Sequence, residues 1–379
     1  MFEIKSTMKT ALIMLIGLVF CLPLAYSQSI QIETKNTEGE TTGALSIGGC
    51  VDAYYSYNLN QPGDDIPYYV SSNRHNEFNI NMAYLDFNYT SERIKARFAP
   101  GLGTYMNANY IDETGLMKIP VEASVSVKLL KKKQLWLETG VLGSPYSSES
   151  AFSKDQWVYT RPFASEYVPY YLAGARLAYQ INDKWKAVLM VLNGWQQIKD
   201  KNEQKSLGTQ VEFKPNDKNL LNWNLYAGDE RSVGNPQARM RYFTDFYWVH
   251  NPNGRFSFAA NAYYGIQQME NALDGSLSNK PWWQTHMTAR YTMKNRMSLA
   301  GRVEYYNDPN NVQIANITGN AGFQCAGTAL CLTIPVLNNA FLRFEAKQLM
   351  ATGEDGFIGR DGNPTKNSTI LTSNLTVWF

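Results

Sequence analysis

The 379-residue chain is poor in cysteine, histidine and charge, and beyond its N-terminal segment it has no long apolar run. Each shortage excludes something. Its four cysteines, at positions 21, 50, 325 and 331, contain no CxxC spacing, so neither a disulfide framework nor a zinc ribbon is expected. Cys325 and Cys331 are separated by about 20 Å along a straight strand, too far to bridge unless a hairpin lies between them. The three histidines, His75, His250 and His286, form no His-x-x-x-His pair, and no GxSxG occurs. Neither a metallohydrolase nor a serine hydrolase site can be assembled, and the chain reads as a non-enzyme without cofactor or metal. The acidic stretch from Gly353 to Asn363 lacks EF-hand spacing and reads as a surface loop. A net charge of +2 leaves no nucleic-acid footprint. Without eighteen consecutive apolar residues after the N-terminal segment, no transmembrane helix follows it.

What is there starts with an export signal. Lys5 and Lys9 precede the apolar run Ala11 to Phe20, followed by Leu22-Pro23-Leu24-Ala25-Tyr26-Ser27. A basic n-region, a short h-region and the small-x-small pair Ala25 and Ser27 predict a signal peptide over 1–27, cleaved before Gln28. The run is too short to serve as an anchor, and Phe20 before Cys21 fits a lipobox poorly. The mean hydropathy is −0.36, yet the chain carries 24 Tyr, 17 Phe and 9 Trp. An exported chain that is polar on average and strongly aromatic has the composition of a barrel that is apolar only on its outside.

Period-two segments recur from residue 45 onward. Val121, Ala123, Val125, Val127 and Leu129 alternate with Glu122, Ser124, Ser126 and Lys128, and Met240, Tyr242, Thr244, Phe246 and Trp248 alternate with Arg239, Arg241, Asp245 and Tyr247. Such segments run about ten residues, the length of a tilted strand crossing a bilayer. Short links such as 90–93, 182–184 and 294–296 alternate with long ones such as 59–76, 105–119, 144–168 and 270–281. Alternating loop lengths are set by which side of a membrane faces out, and a soluble β-sandwich has no reason to show them. The pattern predicts an all-β, antiparallel up-and-down transmembrane β-barrel of about 16 strands, with 14 to 18 allowed. It spans 45–379, and the polar, unpatterned residues 28–44 read as a flexible periplasmic lead-in. Trp185, Phe213, Trp248, Phe256 and Phe379 are expected in a periplasmic girdle, with Trp195, Trp283 and Tyr305 at the extracellular one. The last segment alternates up to a terminal Phe379, read as closing the barrel and as a signal to the barrel-assembly machinery.

A barrel this wide leaves an aqueous lumen, so function is expected where the lumen narrows. Inward-parity Lys95, Arg97, Arg176, Arg239, Arg241 and Arg290 outweigh carboxylates such as Glu122, which suggests a weak anion preference; alternatively these groups pair across strands and set none. The longest connection, 144–168, carries Trp157, Tyr159, Arg161 and Glu166 and could fold inward as a constriction. The expected function is an outer-membrane porin passing small hydrophilic solutes by diffusion. The other reading is a surface-exposed adhesion or scaffold barrel with a blocked pore. Lipids of the outer membrane and a homo-oligomeric state belong to the first expectation.

At residue level the chain resembles the OmpL-like β-barrel porin family. The resemblance rests on Gly49-Cys50-Val51-Asp52-Ala53-Tyr54-Tyr55-Ser56-Tyr57-Asn58, on Asn76-Glu77-Phe78-Asn79, on Gln156-Trp157-Val158-Tyr159-Thr160-Arg161 and on Pro169-Tyr170-Tyr171 followed by Gly174. It runs from about residue 45 to the end. Cys50 stands where an aromatic would be more usual in that family. The resemblance implies a Gram-negative outer-membrane pore for small solutes and names neither the solute nor a binding residue.

Overall fold

A computed structural model describes residues 30–379 apart from Asn36, Glu38, Asp64 and Asn253. The expected signal peptide lies outside the described residues. The strands are β1 (Ile30–Lys35), β2 (Thr41–Asn58), β3 (Phe78–Ser91), β4 (Ile94–Leu102), β5 (Pro120–Lys128), β6 (Gln134–Gly143), β7 (Tyr171–Gln180), β8 (Trp185–Leu192) and β9 (Ser206–Asn216). They continue as β10 (Asn219–Asp229), β11 (Ala238–His250), β12 (Phe256–Glu270), β13 (Leu277–Thr292), β14 (Ser298–Asp308), β15 (Phe323–Leu337) and β16 (Ala340–Ala351). A two-residue pair, β17 (Phe357–Ile358) and β18 (Pro364–Thr365), decorates the last long loop before β19 (Asn367–Trp378).

Strands β2 to β16 and β19 form a closed antiparallel barrel of 16 strands, sealed where β19 pairs with β2 from Ile370↔Asn58 to Trp378↔Cys50. Closure leaves no sheet edge in the apolar layer, the condition for spanning a bilayer with strands. Alternation sorts the side chains. Val125, Val127, Leu189 and Val303 are exposed on the outer face, while Ser124, Ser126, Arg302 and Glu304 on the same strands face inward and are buried. Phe379 completes the seal: its N–H donates to Gly49 O at 3.0 Å and its carbonyl accepts from Gly49 N at 3.1 Å. A Cβ at Gly49 would fall 2.6 Å from the Phe379 ring, so the ring occupies the space that glycine leaves.

The girdle pairs are present as ring contacts, Trp185 with Phe213 at 4.2 Å, Phe256 with Tyr291 at 4.9 Å and Trp283 with Tyr305 at 5.2 Å. Trp195 departs from expectation. β8 ends at Leu192, so the parity count does not reach Trp195, which packs inward on Tyr226 and Phe243, each at 5.0 Å. The lead-in also differs from a loose segment. β1 pairs antiparallel with β2 from Ile30↔Ile47 to Lys35↔Thr41, on the edge that β19 no longer covers below Cys50. β2 runs longer than the barrel needs, and its open backbone groups recruit the preceding residues. β12 and β13 likewise pair as far as Glu270↔Leu277, so the expected loop 270–281 shrinks to the turn 271–276. The cysteines Cys50, Cys325 and Cys331 are free and buried.

Gly140 and Gly174 face each other across β6 and β7. Gly140 has φ +131, and a Cβ there would sit 2.1 Å from the Ala123 carbonyl oxygen. Gly140→Ala should therefore destabilise the barrel by about 1–3 kcal/mol, read as a lower urea midpoint for loss of the heat-modifiable gel band. An unchanged midpoint would remove the argument from close approach.

Candidate functional site

The connection between β6 and β7 runs back into the barrel. It contains a 3-10 turn (Ser153–Asp155) and one α-helical turn, α1 (Phe163–Glu166), and its residues Val158, Tyr159, Thr160, Arg161, Phe163 and Ser165 are all buried. Irregular backbone inside a barrel must find partners for its N–H and C=O groups, and the far wall supplies both kinds. Carboxylates take the donors: Glu345 accepts Tyr159 N at 2.7 Å and Thr160 N at 3.0 Å, Glu304 accepts Phe163 N at 2.7 Å, and Asp245 accepts Ser147 N at 2.9 Å. Cations take the acceptors: Arg302 donates to Thr160 O at 2.6 Å, Lys347 to Arg161 O at 2.8 Å and Arg343 to Gln156 O at 3.3 Å. The charges that take these backbone groups lie on β11, β14 and β16.

Those wall charges also pair with one another. Lys347 lies 3.1 Å from Glu304, and Arg302 lies 3.6 Å from Glu304 and 3.4 Å from Glu149 of the loop. Burial pushes the Glu149 carboxyl above the usual carboxylate range, against the pull of Arg302. Apolar packing seals the dock. Phe163 stacks on Tyr69 at 5.3 Å and meets Phe323 at 5.3 Å and Tyr306 at 5.7 Å. Tyr146, Trp195, Tyr226, Phe243, Tyr263 and Trp282 extend this core across the long-loop half of the barrel. The inward parity of Phe243, Tyr263, Trp282, Tyr306 and Phe323 was a usable signal, since such rings facing a wide aqueous lumen imply a packing partner.

The loop residues singled out from sequence fall inside this dock. Arg161 is 1% exposed, sandwiched between the rings of Tyr105 at 4.9 Å and Tyr170 at 4.5 Å, and donates to Ala151 O at 2.7 Å. Glu166 accepts Val70 N at 2.8 Å and Ser71 N at 3.3 Å from the first long loop. Tyr159 reaches Asp52 at 3.4 Å, and Arg290 sits 4.7 Å over the Trp157 ring. Arg239 pairs with Glu270, while Arg241 bonds Gln267 at 2.8 Å and lies 5.0 Å over Trp195.

The other four gather on the opposite wall. Arg97 pairs with Asp86 at 2.9 Å and with Glu122 at 2.6 Å, Arg176 grips Glu138 at 2.8 and 3.1 Å, and Lys95 lies 4.1 Å over the Trp136 ring. No alternation marks Asp86, because β3 is apolar at both parities around it. Above this ladder lies a cavity of about 260 Å³ lined by Glu122, Tyr105, Tyr170, Tyr247 and the loop from 144 to 152. Below it, toward the short-turn end, lies one of about 410 Å³ lined by Lys95, Trp136, Arg176, Lys186, Glu212 and Lys214. Arg176 spans the two, reaching Gly143 O at 3.4 Å beside the upper cavity. The predicted residues thus form an inward dock and a separate charged ladder rather than one ring.

A family model described as "Putative beta-barrel porin-2, OmpL-like" matches residues 44–379. The chain belongs to this porin family. The solved outer-membrane channel DcaP of Acinetobacter baumannii is similar in fold, with a TM-score of 0.59 at 12% identity over 91% of this chain and 99% of that one. The anion-selective porin from Comamonas acidovorans gives a TM-score of 0.56 at 10% identity over 89% and 100%, and OmpF of Salmonella typhi 0.59 at 10% over 89% and 98%. No curated protein sequence matches the chain. The porin resides in the outer membrane and is a channel protein by family.

Proposed function

We propose that this porin is a narrow, off-centre diffusion channel for small hydrophilic solutes. The observation that carries the reading is the docking of residues 144–170 onto β11, β14 and β16, with the two cavities left along β4 to β9. A solute descends from the upper cavity past Arg97–Glu122 and Arg176–Glu138 into the lower one. Because these cations are paired with carboxylates across strands, charge filtering is weak and size filtering by the docked loop dominates. Arg161, Glu166, Tyr159 and Trp157 act as anchors that hold the constriction in place. The role is transport without covalent chemistry. A homo-oligomer embedded in outer-membrane lipid, assembled through recognition of the strand ending at Phe379, accompanies it; one similar fold, OmpT of Vibrio cholerae, is described in a trimer form.

Refolded protein in a planar bilayer tests the reading. Ohmic single-channel steps are expected, and a sealed bilayer would overturn it in favour of a barrel that serves as a surface scaffold, a reading favoured by the aromatic core in its outer half. Arg97→Gln with Arg176→Gln should lower the chloride-to-potassium permeability ratio by about two- to fivefold, measured from reversal potentials. An unchanged ratio would place the conducting path away from the ladder.

A further inference from the structure

The lower cavity is not charge-balanced. Of its cations, Arg176 is held by Glu138 at 2.8 Å and Lys214 by Glu212 at 3.0 Å, which uses both carboxylates that line it. Lys95 and Lys186 remain. They enter from β4 and β8, lie on inward parity, and among the described residues neither has a carboxylate within salt-bridge distance. Lys95 is steered by the face of Trp136, which holds its ammonium in place without neutralising it. Around them Gln134, Gln180 and Ser126 add neutral hydrogen-bonding groups.

Resting on the channel reading above, we propose that this periplasmic-side cavity is an oxyanion-binding station that holds a carboxylate or phosphate between Lys95 and Lys186. Two ammonium groups on separate strands, facing a common space of about 410 Å³, supply donors to a compact oxyanion. Arg97 and Arg176 above it have their own carboxylates, so the station is local to the short-turn end. It captures anions on the periplasmic side of the narrow ladder, where occupancy obstructs the remaining ion flow.

Single-channel recording in potassium chloride tests this, with inorganic phosphate or acetate added to one chamber at a time. Both probes should reduce the chloride current, and more strongly from the periplasmic side. Lys95→Gln with Lys186→Gln should raise the half-blocking concentration about tenfold or more, with block read as the fraction of each variant's own unblocked current. Lys95→Arg with Lys186→Arg should retain block. Block by phosphate alone would assign the station to phosphates, and block by both to oxyanions generally. Equal block in the Gln variant, or block equal from both sides, would overturn the station while leaving the channel reading intact. Absence of any conductance in wild type would instead strike the channel reading itself.

Discussion

Deleting residues 147–165 should raise single-channel conductance at least about twofold and admit larger uncharged solutes, because a wide barrel conducts as its narrowest section allows. The deletion removes Tyr159, Thr160 and Phe163, whose backbone groups meet Glu345 and Glu304, together with the aromatic anchor seated on Tyr69 and Tyr306. The barrel itself should persist, since its hydrogen bonds run between neighbouring strands and its seal between Phe379 and Gly49 is made by their own backbone groups. Wall charges left behind, Arg302, Glu304, Arg343, Glu345 and Lys347, would become hydrated and line a wider lumen. Liposome swelling with sugars of increasing size provides the second readout. Conductance and size cut-off both unchanged would mean the loop is not the constriction.

Glu304→Gln should release the same loop without shortening it. Glu304 compensates Lys347 and Arg302 and accepts Phe163 N, and removing one partner of a buried ionic cluster typically costs about 3–5 kcal/mol. That cost falls on the docked state, since an undocked loop lets water reach both cations. The expected result is a channel that flickers to a higher conductance and a new chymotryptic cut after Phe163, which is enclosed in the wild type. Thermal stability of the barrel should change little, because ladder bonds are untouched. A quiet channel resistant to chymotrypsin at Phe163 would show that the aromatic contacts of Phe163 suffice to dock the loop.

The sequence by itself determined the architecture, for a physical reason. A bilayer demands closed strands with an apolar outer face, so alternation, turn lengths and a terminal aromatic all carry the same message in local residues such as Val125, Ser126 and Phe379. Limits appeared where local signals were mixed: β3 hid Asp86, the short polar alternation of β1 was not recognised, and Trp195 lay past a strand end. Only the tertiary structure decided how the loop uses the lumen. Arg161 looked like a pore charge because its residue type and its loop said so, yet its guanidinium is buried between Tyr105 and Tyr170. The partners that capture the loop backbone, Asp245, Glu304 and Glu345, lie far along the chain, on strands brought opposite only by closing the barrel. Which lumen charges are neutralised, and that Lys95 and Lys186 are not paired with a carboxylate, depends on distances across strands that parity cannot supply.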